Sequence, residues 1–278
     1  MGRYGTTRRH IAEGAIAPLK LHTSLREGLY AYQKFKEQPY LTKEIGYGAP
    51  TGATGAENLA VFKDLQTLYH VKGAGQTILG PLKDIDWGLD VSQDLTNAEG
   101  AEHIFGGGFG RGNPLRFATT LATLTGGNLP ASAPLMVRLK LRVQDVSGAA
   151  ECAFGFRLFN AFTANLDDYT DLACINVQGG LVKTETILNN AATVTVDSAK
   201  TVVDSQLFEL KLIYSGRGVR YFLDGRELIQ ASTPYQFGAA LTLVPFFFFL
   251  QGADLTNVFW DEFEFAYLDD IIDSRVSN

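Results

Sequence analysis

Between Phe208 and Leu228 apolar and polar residues alternate with a period of two. Phe208, Leu210, Leu212 and Tyr214 share one side, and Val219, Tyr221 and Leu223 repeat the pattern after the turn Ser215-Gly216-Arg217-Gly218. That period belongs to a half-buried antiparallel strand. The glycine turn and the Asp224-Gly225 pair supply the positive-φ residues that hairpins need. Leu135, Val137, Leu139, Leu141 and Val143 alternate just as strictly with Met136, Arg138, Lys140, Arg142 and Gln144, which predicts a strand with one apolar and one mostly basic face. Cys152, Phe154, Phe156 and Leu158 continue the rhythm after Ser147-Gly148, so the two segments are expected to pair as a hairpin.

Further strands are expected at 171–177, 181–188, 193–196, 241–250 and 258–268, separated by Gly, Asn, Asp and Pro clusters. From about residue 85 onward helical periodicity is nearly absent. Many short strands with regular turns predict an all-β, two-sheet antiparallel sandwich or jelly roll. Phe246 to Phe249 put two rings on each face of one strand, so both faces must be covered. Burial inside the protomer, with a sheet on one side and an arm or loop on the other, is the expected arrangement; a subunit interface is the alternative.

The segment from Leu207 to Leu268 resembles the C-terminal part of a concanavalin A-like or laminin-G-like jelly roll. The resemblance is carried by Ile213-Tyr-Ser-Gly, Val219-Arg-Tyr-Phe-Leu-Asp-Gly-Arg-Glu-Leu, Leu243-Val-Pro-Phe-Phe-Phe-Phe-Leu and Val258-Phe-Trp-Asp-Glu-Phe-Glu-Phe. It implies the fold and leaves the role open, because lectins, glycosidases, adhesion modules and virion proteins share that architecture.

The first part of the chain differs in charge. Residues 1–50 hold 8 Lys/Arg and 4 Asp/Glu, a net charge of +4, against 16 and 26, net −10, in the remainder. Glycine-rich runs at 46–55 and 73–81 bracket a stretch, 57–69, whose Leu59, Phe62, Leu65 and Leu68 suggest a short helix. Ser24-Leu-Arg-Glu27 fits a capping box, with Leu25, Leu29, Tyr32 and Phe35 at helical spacing before Pro39. Residues 1–84 are therefore expected to be an extended basic N-terminal arm containing short helices, and residues 85–278 the jelly-roll domain. The arm would be ordered by packing on its own body or on a neighbouring subunit.

The chemistry-bearing residues are few. Glu262 and Glu264, about 7 Å apart on a strand, are the one pair to weigh as glycosidase carboxylates. The superfamily's enzymes place three acidic residues at alternating positions of a mid-chain strand; here only two alternate, so a solvated outer face is expected. Alternation puts Trp260 on the same face as these glutamates. Asn165 to Asp171 is a candidate Ca²⁺ loop, weighed against an ordinary polar turn. The run from Gly106 to Pro114 lacks a P-loop's Gly-Lys-Ser/Thr ending and reads as a mobile surface loop. His10, His22, His70 and His103 show no metal-ligand spacing, and no serine or cysteine signature supports nucleophilic catalysis. Cys152 and Cys174 are expected as buried thiols, a disulfide being the alternative. Arg138, Lys140 and Arg142 form a stripe, expected to be solvated or paired across strands.

The net charge of −6 and the lack of a reading motif argue against specific nucleic-acid binding. The longest apolar run, 241–250, is too short for a membrane helix, and no membrane partner is expected. The first residues lack the apolar core of a secretory signal, which predicts assembly in the cytosol. No enzyme activity, cofactor or metal is expected. By elimination and analogy the chain resembles a virion structural protein of a tailed bacteriophage. On that resemblance the expectation is a capsid decoration or cement protein, located in the virion and assembled in the host cytoplasm. Its partners would be the major capsid protein lattice and its own copies, as dimers or trimers. Arg3, Arg8, Arg9, Tyr30, Tyr32, Phe35 and Tyr47 are the candidate interface residues. The alternative is a lectin-like, carbohydrate-binding module of a phage fibre or tail with a glycan as partner; an endoglycosidase is the third reading.

Overall fold

The computed structural model describes residues 31–34, 58–61, 65–72, 82–84, 87–92, 95–107, 117–118, 134–215, 217–229 and 231–267. Among them the architecture is two antiparallel sheets packed face to face. The first, eight-stranded sheet runs in the order β15 (Arg226–Glu227), β14 (Gly218–Leu223), β13 (Leu207–Ser215), β8 (Leu135–Val143), β17 (Val258–Tyr267), β5 (Gly88–Asp90) and β4 (Leu82–Asp84). Strand β1 (Ala31–Lys34) joins β17 along the edge that β5 also uses. The second, nine-stranded sheet runs β12 (Val194–Thr201), β11 (Leu181–Ile187), β10 (Leu172–Gln178), β9 (Ala149–Leu158), β16 (Thr242–Gln251), β6 (Gly100–Gly107), β3 (Leu65–Lys72) and β2 (Asn58–Val61). Strand β7 (Phe117–Ala118) joins β16 beside β6.

The alternation read from the sequence decides which faces meet. The odd positions of β8, Leu135 to Val143, are fully buried, while Met136, Arg138, Lys140 and Arg142 stay half-exposed. Phe208, Leu210 and Leu212 from β13, Val219 and Tyr221 from β14, and Cys152, Phe154 and Phe156 from β9 complete the same core. Both cysteines are free buried thiols, and burial pushes both thiol pKa values up, so they stay protonated. Phe105 stacks on Phe263 with centroids 4.0 Å apart, joining the sheets at their middle.

β8 and β9 do not form the expected hairpin. Both edges of β8 are occupied, by β13 and β17, and both edges of β9 by β10 and β16. The short 3-10 turn Val146–Gly148, capped by the Asp145 carboxylate accepting from Ser147 N–H, therefore carries the chain from one sheet to the other. Gly148 and Gly252 lie in close backbone contact there, and a Cβ on Gly148 would sit 2.0 Å from the Asp254 carbonyl oxygen.

The helices expected in the first part of the chain are also corrected. Residues 31–34 are strand β1, laid along Glu262–Phe265, and the 57–69 stretch holds β2 and most of β3, an antiparallel pair that β6 extends. Backbone ladders to an existing sheet override helical spacing that has no packed face of its own. Residues 24–30 and 35 lie outside the described residues.

Strand β16 is buried on both faces. Phe247 and Phe249 point into the main core; Phe246 and Phe248 point the other way, into a second cluster with Ala153, Leu172, Cys174 and Ile187. The connection from β9 to β10 covers this outer cluster with Leu166 and Tyr169, and Phe162 packs on its margin. Burial inside the protomer, with a sheet on one side and a loop on the other, is the observed solution. The cover includes a buried ion pair: Arg157 reaches from β9 across β16 to Glu102 on β6 as a two-pronged contact, with Nη2 2.8 Å from Oε2. Its Nη1 donates to the Leu158 carbonyl and to Asn160 Oδ1, and its guanidinium lies 4.5 Å from the Tyr169 ring centroid. Burial lowers the guanidinium's pKa, but Glu102 more than offsets it and holds the cation charged. Farther along the same face Glu185 is buried and accepts from Asn176 Nδ2 at 2.9 Å.

Two outcomes follow from the two-sided burial. Phe248→Ala is expected to lose about 3–5 kcal/mol of unfolding free energy, read as a lower urea midpoint at unchanged slope. For Glu185, burial pushes the carboxyl pKa up, against the opposing bond from Asn176. The folded chain then binds this proton more tightly than the unfolded chain, so its contribution falls as pH rises from the ordinary carboxylate value through the raised one. Glu185→Gln should raise the melting temperature at pH 7, with the gain vanishing below about pH 4. An unchanged melting temperature at pH 7 would show that the carboxylate is adequately compensated.

Candidate functional site

The outward face of the first sheet holds the carboxylates first considered for catalysis. A bulge in β17 places Trp260 opposite Leu141 and Glu262 opposite Lys140, leaving Asp261 as the extra residue. The faces therefore exchange. Trp260 joins Phe263 and Phe265 in the core, correcting the expectation that it shares a face with Glu262 and Glu264. Arg138 sits between three carboxylates: Nε donates to Glu264 at 2.8 Å, Nη1 to Glu209 at 3.1 Å and Nη2 to Glu262 at 3.3 Å. Lys140 Nζ is 3.2 Å from the same Glu262 oxygen. Burial lowers the Arg138 pKa, but Glu209, Glu264 and Glu262 together raise it above its ordinary value. Of the two readings of the basic stripe, cross-strand pairing is what Arg138 and Lys140 do; Arg142 donates instead to the Ser205 carbonyl.

The Asn165–Asp171 loop is engaged within the protein. Asp167 accepts from the Thr193 hydroxyl, Asp168 from Asn165 Nδ2, and Asp171 from the Asn189 backbone N–H. Its Leu166 and Tyr169 are the lid over Phe246 and Phe248. Among the described residues no group of three His, Cys, Asp or Glu side chains is arranged to hold a metal ion. His103 is buried edge-on to Trp260 at 4.7 Å, in the core rather than at a surface. Of the candidate interface residues, Tyr32 lies in β1 opposite Glu264. Arg3, Arg8, Arg9, Tyr30, Phe35 and Tyr47 lie outside the described residues, as do residues 108–114 of the glycine-rich run.

A different site forms where the sheet edges overhang one another. Thr184 lies opposite Ile175 of the core on one side and Val196 on the other, and Thr186 lies opposite Val194. These four side chains share the inward face of the β11–β12 hairpin, with the hydroxyls along one strand and the methyls along the next. Tyr221 of β14 forms the floor. Residues 231–235 close the far wall with Ala231, Thr233 and Tyr235, around about 200 Å³. A backbone bond from Val219 N–H to the Tyr235 carbonyl holds that segment to β14, and Leu228 N–H, just before it, donates to the Tyr221 carbonyl. Gly218, at φ +103°, permits the approach, since a Cβ there would lie 2.7 Å from the Tyr235 oxygen. The Tyr235 hydroxyl donates to the Ile187 carbonyl and ties the segment to the second sheet.

The Tyr221 side chain is 1 % exposed, and its hydroxyl, sealed from solvent, has no hydrogen-bond partner among the described residues. Burial pushes its pKa well up, so it remains a neutral donor. None of the described residues lining the cleft carries a charge. Alternation places Tyr221 on the apolar face of β14 but announces no cleft, because the overhang of β11 and β12 is a matter of sheet order. The one local signal is threonine at the inward positions Thr184 and Thr186, where the neighbouring strands carry Ile and Val.

No protein-family model matches the chain, and no curated protein matches it in sequence. In structure it is similar to the carbohydrate recognition domain of Emp46p in its potassium-bound form, with a TM-score of 0.51, 9 % identity, and 86 % of this chain and 97 % of that chain covered. The shared fold is a two-sheet antiparallel jelly roll. The carbohydrate recognition domain of Emp47p follows at 0.45 and 10 % identity, covering 88 % and 98 %. The Caenorhabditis elegans galectin LEC-6 aligns at 0.33 and 14 %, covering 49 % and 84 %. At 9 % identity the likeness to the Emp46p domain is one of fold, in keeping with the two-sheet sandwich expected from the strand pattern.

The carboxylate cluster makes its own prediction. Arg138→Met removes the shared cation and leaves three glutamates facing one another, so stability at pH 7 should drop by about 1–3 kcal/mol. The loss should shrink at high ionic strength, where salt screens the repulsion. Denaturant titrations at low and high salt measure both; an equal loss at the two would mean that Arg138 acts through packing alone.

Proposed function

We propose that this protein is a lectin-like binding module that recognises carbohydrate without cleaving it. One observation carries the reading: the cavity described above is uncharged, walled by hydroxyls on one strand and methyls on the next, and floored by a neutral buried phenol. Sugars present that mixture of apolar C–H surface and directional hydroxyls, and a binding site for them needs few, well-placed polar groups. Two further facts support it. The structural likeness at a TM-score of 0.51 is to a carbohydrate recognition domain. The carboxylates first weighed as a glycosidase pair are engaged by Arg138 and Lys140 on the far side of the first sheet.

A capsid decoration protein ranks second. It draws on the basic N-terminal segment with Arg3, Arg8 and Arg9, on a resemblance of organisation, and on no contact in the fold.

The test is a binding screen of the full chain against immobilised neutral and acidic oligosaccharides. Retention on at least one neutral glycan, reversed by the free sugar, is the expected result, with no new reducing ends after prolonged incubation. Folded protein that retains none would overturn the proposal, and release of reducing ends would return the endoglycosidase reading.

A further inference from the structure

Beyond the uncharged cleft the same edge of the sandwich carries two cations, and strand register decides where they point. In β15, Arg226 lies opposite Leu223, a core residue, and residues directly opposite in an antiparallel pair share a face. Arg226 therefore faces the second sheet. In β12 the ladder steps from Asp197 opposite Lys183 to Lys200 opposite Val182, so Ser198 and Ala199 are looped out. That bulge is firmly built: Ser198 Oγ donates to the Val182 carbonyl, Ala199 N–H donates to Asp197 Oδ1 at 2.8 Å, and Ala199 sits at φ +55°. Val182 is a core residue too, so Lys200 opposite it faces the first sheet.

The two cations thus approach one cavity from opposite sheets. It holds about 320 Å³, with Leu223 and Leu228 as its apolar lining and Asp224 as its one acidic residue. Asp224 Oδ1 already accepts from Glu209 N–H at 2.8 Å, which ties that carboxylate to β13. Among the described residues neither Lys200 nor Arg226 makes an ion pair, whereas Arg138, Lys140, Arg157 and Arg220 all do. A single inward cation guards a sheet edge against pairing with another chain. Two that line one cavity from different sheets repel each other until an anion joins them. The planar fork of an arginine matches a carboxylate or sulfate, and a lysine adds a point charge.

We propose that this cleft holds the acidic group of a carbohydrate, the carboxylate or sulfate ester of one sugar residue, between Lys200 and Arg226. The inference rests on the carbohydrate-binding reading and adds a substrate class. The volume falls within the roughly 300–1,000 Å³ typical of small-molecule sites, and Leu223 and Leu228 offer apolar surface to the ring. The charged and uncharged clefts are consecutive along the edge. Thr184 and Val182 are successive inward positions of β11, as Tyr221 and Leu223 are of β14, about 7 Å apart along each strand. An oligosaccharide can therefore place an acidic residue between the cations and a neutral neighbour in the uncharged cleft.

The experiment is calorimetric titration of the full chain with pairs of oligosaccharides, each neutral glycan beside counterparts bearing a uronic acid or a sulfate ester. At low salt at least one acidic counterpart should bind about tenfold more tightly than its neutral parent, with the advantage lost at high salt; the two acidic arms tell carboxylate from sulfate. Both cations are exposed, so Lys200→Met and Arg226→Met should leave the melting temperature unchanged. Each should weaken the acidic glycan about three- to tenfold and leave the neutral one as it was. If acidic and neutral glycans bind alike, or the variants hold the acidic glycan as the parent does, the charged cleft is not the site and the broader reading stands. If the double variant keeps its affinity but self-associates in sedimentation, the cations guard the sheet edges and the proposal is overturned. If the folded parent binds no carbohydrate, the proposal and the broader reading fail together.

Discussion

The constraint on which this structure depends is the two-sided burial of β16. Four consecutive phenylalanines cannot be hidden by one sheet packed against another, since a sandwich covers only the inner face. The inner rings, Phe247 and Phe249, are met by Trp260 and the rest of the main core. The outer rings require a further layer, which the β9–β10 connection supplies with Leu166 and Tyr169. The Arg157–Glu102 pair belongs to that layer, passing over β16 from one neighbouring strand to the other. It fixes the lid by charge and geometry where a purely apolar cover would leave several packings open.

The two outer surfaces and the edge cleft divide the polar chemistry between them. On the first sheet, formal charges lie in a cross-strand lattice centred on Arg138, where each carboxylate has a cation within hydrogen-bonding distance. On the second sheet, charge is buried under a loop. Between them, the described lining of the cleft carries threonines, valines, an alanine and two tyrosines and no charged side chain.

Most of the fold was legible in the period of two. β8, β9, β13, β14, β16 and β17 lie where alternation placed them, and the demand that Phe246 to Phe249 be covered on both sides was visible in the residues themselves. What failed were statements about partners. The β8–β9 hairpin was inferred from adjacency, but adjacency says nothing about which edges more distant strands will occupy. Helical spacing at Leu25, Leu29, Tyr32 and Phe35, and again between Leu59 and Leu68, gave way at residues 31–34, 58–61 and 65–69 to ladders offered by β17 and β6. The face of Trp260 was misassigned because a bulge is a one-residue event that no periodicity announces. The cleft was illegible for a related reason: Tyr221, Thr184 and Tyr235 are ordinary residues until sheet order brings three strands and a returning segment to one edge.

The sheet order also bears on how the chain reaches this state during synthesis. β16 and β17 are the central strands of their sheets, each with neighbours on both sides, and yet they follow every other described strand in sequence. On a ribosome the flanking strands emerge with their pairing edges vacant, and neither sheet can close until residues 242–267 are free to insert. A nascent chain halted before that point has sheet halves without a seam, open to pairing with other chains. The long-range closure also predicts slow folding by topology. Efficient production therefore rewards whatever keeps those early edges apart until β16 and β17 arrive, one to each sheet, whether dilution, low temperature or a chaperone.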